Sequence, residues 1–291
     1  MRKKLLGSLM VVAGVTIGFL LPMPGSGQFP GGGKGGKGGK GGPPPVPAGP
    51  VRRMADGKPD MHGYWNAKGG GAFSIEVTKG FPKSDVKAST KSSIVDPPDG
   101  ILPYQDWARE KEIDLATNHM IEESDAHCYT SGLPHMMYAQ FGFQILQPPG
   151  EVVMIWEYMH NYRVIPTDGR AHSLPASTHL FAGDSVGHWE GDTLVVDVTN
   201  QNARTWYDIA ANFHSDQIHV VERFTPTDEN TIRYEAVVED PKVYTRPWKL
   251  AYSFARNMQQ GYRQMEFACW EGEHDVTEKY TLESQGAGGK K

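Results

Sequence analysis

From about Phe141 onward the chain alternates apolar and polar residues in steps of two, and no other feature restricts its fold as tightly. Side chains of an extended strand point alternately to opposite faces, so a period of two describes strands buried on one side. In "DTLVVDVTN", Leu194, Val196 and Val198 share one face, opposite Val195, Asp197 and Thr199. In "QIHVVERFT", Ile218, Val220, Glu222 and Phe224 lie opposite His219, Val221 and Arg223. "TIRYEAVVED" turns Ile232, Tyr234, Ala236 and Val238 inward. The run "EVVMIWEYMHNYRVI" reads as one long alternation, with Val153, Ile155, Glu157 and Met159 facing away from Met154, Trp156, Tyr158 and His160. "WKLAYSFA", "QMEFACWE" and "EKYTLES" extend the pattern, and "PDMHGYWNA" reads as the entry to a first strand.

Turn residues punctuate these runs at "PPGE", "TDGR", "EGD" and "TDEN". About eight to ten short strands with short links describe an all-β, antiparallel meander that closes into a barrel or sandwich. A helical segment is expected near residues 104–122, with Pro103 in its first turn and Tyr104, Trp107, Ala108, Ile113 and Leu115 as its apolar stripe. Glu157, Asp197 and Glu222 stand among hydrophobic residues. An interior that holds a ligand or water accommodates such carboxylates; so does a salt bridge inside the core or a strand end near solvent.

Residues 1–27 have the order of a signal peptide: Arg2, Lys3 and Lys4, then an apolar stretch from Leu5 to Leu21, then Gly25, Ser26 and Gly27. A retained anchor is the alternative. Residues 28–53 are a Gly/Pro/Lys-rich linker that can bury nothing and is expected to stay disordered. A single β-barrel domain is expected over residues 54–284 and a disordered tail over residues 285–291. The chain is thus expected to be exported, to the periplasm or beyond the cell, with no membrane span after cleavage.

Charge narrows the partners. Residues 54–289 carry 19 Lys and Arg against all 34 acidic residues, a formal balance of −15. Such a body repels phosphate backbones, which argues against a nucleic-acid partner. The only cysteines are Cys128 and Cys269. In an oxidising compartment they form one long-range disulfide or remain two separate thiols.

Eleven histidines are scattered without an HExxH or a helical His pair, so no metal is expected, a site assembled from distant strands being the alternative; no cofactor is expected. A GxSxG elbow, a P-loop and a GxGxxG in strand–helix context are also absent. The sequence candidates for acid–base chemistry are His172 and His214 with Glu222. Candidates for ligand contact are Glu157, Arg163, Arg170, Trp189 and Trp206. Aromatic residues at strand spacing fill cores or line cavities for flat ligands. "TDGR" doubles as a plain β-turn, with Asp168 bonding the backbone. "GDSVGHWEGDTLVVDV" concentrates ionisable groups but reads as a hairpin, with Gly191 at the turn and Trp189, rather than His188, inward.

The blocks "PDMHGYW", "ILPYQDWA", "CYTSGLPHMM", "FQILQPPGEVVMIWEY", "RVIPTDGR", "GDSVGHWEGDTLVVDV", "HSDQIHVVERF", "VEDPKVYTRPW" and "MEFACWEGE" resemble, in order and spacing, a large family of uncharacterised secreted bacterial proteins. The resemblance spans roughly residues 57–275. It implies a lipocalin-like (calycin-type) β-barrel and carries no agreed activity. His135 and His188 stand where many relatives have Arg, which weakens any contact those positions make with an anion. The expected function is a small-molecule-binding barrel for an apolar or amphipathic ligand. The alternatives are a lyase, isomerase or hydrolase on the same barrel and an envelope interaction protein without a small-molecule site.

Overall fold

The computed structural model describes residues 48–68, 74–81, 87–267 and 269. The expected signal peptide, most of the linker, "EKYTLES" and the tail lie outside the described residues. In chain order the strands are β1 (Gly63–Lys68), β2 (Thr78–Gly80), β3 (Lys87–Ser89) and β4 (Ile94–Asp96), followed by helix α1 (Asp106–Asn118). Then come β5 (Phe143–Leu146), β6 (Glu151–Trp156), β7 (Tyr162–Pro166), β8 (Asp184–Glu190), β9 (Thr193–Thr199), β10 (His219–Asp228), β11 (Thr231–Glu239) and β12 (Trp248–Arg256).

The strands assemble as the alternation requires. One ten-stranded sheet runs β7-β6-β5-β1-β12-β11-β10-β9-β8, with β4 also on β12, while β2 and β3 pair separately. All its pairings are antiparallel. Because β1 lies between β5 and β12, the meander curls round and nearly closes into a barrel. Its seam lies between β7 and β8, which come close without a ladder between them. The fold is compatible with a lipocalin-like barrel, and the inward faces of β9, β10 and β11 are those the alternation assigns.

Three local readings are corrected. "EVVMIWEYMHNYRVI" is not one strand: β6 ends at Trp156, residues 158–160 form a turn, and β7 returns beside β6. Met159 and His160 take left-handed backbone angles there, which a continuous strand cannot include. Pro103 lies ahead of α1, and the helix buries Ala108, Glu112, Leu115 and Ala116 while Trp107 and Ile113 stay exposed. Asp106 occupies its first turn, where the helix dipole favours an acid. Gln264–Phe267 belongs to no strand.

The two barrel ends differ. At one end are the tight turns β5–β6, β8–β9 and β10–β11, with the chain before β1 laid across them. Gly49 donates its amide to Glu229 at 2.9 Å and Arg53 pairs with Asp192, so the end of the stretch read as linker is already attached to the barrel. The opposite end is covered by residues 200–218, the β11–β12 loop and α1, whose approach is fixed by the Gln105 amide on the Val243 carbonyl at 2.9 Å. Cys128 and Cys269 are joined by a disulfide, with Cα atoms 5.7 Å apart.

Candidate functional site

The polar centre of the barrel is built by register. Arg163 of β7, Ser185 of β8, Glu222 of β10 and Tyr234 of β11 each occupy an inward position, and all four are buried. Arg163 Nε donates to Ser185 Oγ at 2.9 Å, and Arg163 Nη2 pairs with Glu222 Oε2. Tyr234 donates its hydroxyl to Glu222 Oε1 at 2.8 Å. Both oxygens of the carboxylate are thereby satisfied, which a buried charge demands. The salt bridge thus explains Glu222 among hydrophobes without an added ligand.

The cations and hydroxyls around it are less complete. Arg163 Nη1, the Trp156 Nε1–H and the Tyr252 hydroxyl are buried with no acceptor in hydrogen-bond reach among the described residues. Tyr252 stands beside Tyr234 on the neighbouring strand, and their rings are 5.0 Å apart. Burial pushes the Tyr252 phenol well above its ordinary pKa, and neighbouring Tyr138 and Glu222 push it the same way, so it stays a neutral donor. An aromatic belt connects these groups: Trp156 to Phe143 at 5.3 Å, Phe143 to Phe254 at 4.9 Å and Phe254 to Tyr252 at 5.4 Å. Buried donors facing an aromatic wall suit an occupant that has both a flat apolar surface and oxygen acceptors.

The acid–base candidates do not meet. His172 sits in the loop between β7 and β8, on the outer face of the sheet. Its Nδ1 faces Asp184 at 3.1 Å and its Nε2 faces Asp197 at 2.8 Å. Asp197 also contacts His219 Nε2 at 2.8 Å. Burial opposes ionisation of Asp197, yet the bonds to His219 and His172 hold its carboxyl below the ordinary range. His172 therefore lies between two carboxylates, one on each ring nitrogen. That geometry fastens the loop to β8 and β9. His214 is buried under the opposite barrel end, between Thr205 Oγ1 and the Ser215 carbonyl, both at 2.9 Å. Burial pushes its imidazole below the ordinary pKa. His172, His214 and Glu222 therefore have three separate sets of partners.

The other candidates are equally dispersed. Only Arg163 reaches the polar centre. Glu157 accepts from the Tyr262 hydroxyl at 3.2 Å, and Arg170 forms an exposed turn with Asp168. Arg170 and its turn amide hold the Asp168 carboxyl down at about 2. Trp189 packs against the core and lines a cavity of about 290 Å³ at the tight-turn end, along with Met54, Lys58, Pro148, Val152 and Thr167. Trp206 lines another, of about 270 Å³, at the covered end. Trp156, Ser185, Tyr234 and Tyr252 are the site residues absent from the sequence candidates. The inward register of β11 already carried Tyr234, but nothing local marked its hydroxyl as the partner of Glu222.

No protein-family model matches the chain, and no curated protein and no solved structure matches it either.

Proposed function

We propose that this chain is an exported barrel, periplasmic or extracellular, that binds a small amphipathic molecule bearing oxygen acceptors. The observation that carries this reading is the set of buried donors at Arg163, Trp156 and Tyr252 left without acceptors among the described residues, beside an aromatic wall. A buried donor without a partner costs about 1–3 kcal/mol, and an occupant's carbonyl or carboxylate oxygens relieve that cost. The motif resemblance to secreted lipocalin-like barrels agrees in fold and supplies the exported setting. The separate partners of His172, His214 and Glu222 favour binding over acid–base catalysis.

Tyr252→Phe tests the reading with minimal disturbance, because the hydroxyl it removes has no partner among the described residues. Dansyl-undecanoate, a fluorescent amphipathic carboxylate, should bind the native protein saturably. The variant should bind it about three- to tenfold more weakly while unfolding at the same or a higher temperature. Absence of saturable binding, or unchanged affinity in the variant, contradicts the proposal.

A further inference from the structure

We infer that the chain carries a second small-molecule site, outside the barrel, for a compact aromatic anion. The site is the cavity of about 270 Å³ between α1, the loop carrying Tyr129 and the β9–β10 connection. Its apolar surface comes from Leu115, Trp206 and Phe213, all buried, and from the Tyr129 ring. Two cations face it. Lys111 Nζ lies 4.5 Å from the Phe213 ring centre, and the Arg204 guanidinium lies 4.3 Å from that of Tyr129 and 5.6 Å from that of Phe181. Arg204 also donates to the Tyr129 hydroxyl.

Charge makes this arrangement informative. Acids far outnumber bases in the barrel region, yet among the described residues neither Lys111 nor Arg204 has a carboxylate at ion-pair distance. Glu122, the acid in the lining, turns to His119 Nδ1 at 3.0 Å. His127, the remaining polar ring, stacks on Tyr129 and directs Nε2 to the Ile121 carbonyl at 2.8 Å. Two cations held over aromatic faces beside buried rings match a ligand with a flat apolar body and one negative group. The volume suits one or two rings; drug-sized ligands occupy pockets of about 300–1,000 Å³.

The walls are fixed from behind. The Trp206 amide donates to Ser124 Oγ at 3.3 Å, and the Trp206 carbonyl faces His135 Nδ1 at 2.9 Å. Cys128, between the lining residues His127 and Tyr129, is tied to Cys269. The cavity is therefore held open by groups that need not move when a ligand enters.

The test is calorimetric titration of the full chain with naphthoate, with neutral naphthylmethanol as the control. Lys111→Gln with Arg204→Gln keeps two exposed side chains at similar length, and thermal unfolding checks that the fold is intact. The double variant should bind naphthoate about tenfold or more weakly and leave naphthylmethanol affinity unchanged. Raising salt should weaken naphthoate binding to the native chain. No naphthoate binding by the native chain, or equal binding by the variant, overturns the inference. So does a loss of naphthoate binding in Tyr252→Phe with none in the double variant, because that result puts the anion inside the barrel.

Discussion

At the scale of single residues, this fold tolerates buried charge only where partners converge on it. Glu222 meets that condition through Arg163 and Tyr234. Glu112 meets it less well. It is buried on α1 with Arg109 at 3.2 Å, and burial pushes its carboxyl from an ordinary 4.5 up to about 7 against the pull of that cation. Between those values the folded protein keeps a proton that the unfolded chain has released. The contribution to stability is therefore full below about 4.5 and is lost as pH rises through about 7. Thermal unfolding of the native protein and Glu112→Gln across that window should show the native protein losing ground to the variant as pH rises. A gap that does not change with pH would mean that Glu112 titrates normally. Sequence reasoning found Arg163 and Glu222 separately but assigned them to different roles. Their pairing is a long-range fact: β7 and β10 are not neighbours in the sheet, and their inward faces meet only when it curls.

At the scale of elements, the two-residue period disclosed which faces of β9, β10 and β11 turn inward. It did not disclose where a strand stops. The β6–β7 break escaped because Glu157 to Asn161 continues the alternation in composition while Met159 and His160 leave it in backbone angle. The opposite holds at β8–β9, where a glycine announces the turn: Gly191 has φ +58° and stands in open space. Gly183, at the entry to β8, is more constrained. Its φ is +67°, and a Cβ there would lie 2.4 Å from the Thr199 carbonyl oxygen. Gly183→Ala should cost about 1–2 kcal/mol or more from the left-handed backbone alone, with the clash adding to it. Urea unfolding gives the total, and hydrogen exchange should localise the loosening to the first residues of β8. Uniform exchange along β8 would contradict this account. α1 shows the same limit, because Trp107 and Ile113 read as its buried stripe while the packed face runs through Ala108, Glu112 and Leu115.

At the scale of the molecule, closure was legible as a class and not in detail. Alternation with short turns required an antiparallel barrel or sandwich, but the pairing of β1 with β12 is specified by no local signal. The disulfide is similar: two cysteines made it possible, and the fold brings residues 141 positions apart together. In the chain-entropy model a link across so long a loop contributes about 5 kcal/mol. Replacing both cysteines by serine should lower the urea midpoint accordingly while leaving the barrel's β-type circular dichroism. An unchanged midpoint would show that the link adds nothing to the fold.

The central claim, that the barrel interior is a binding site, is tested most directly by native mass spectrometry of the chain purified from the organism that encodes it. Arg163→Met with Glu222→Leu serves as the control, since it removes both charges of the buried pair together. The account predicts a native mass above that of the bare chain by one small molecule, and the bare mass for the folded control. A bare mass for the native protein, or the same adduct on the control, would contradict it.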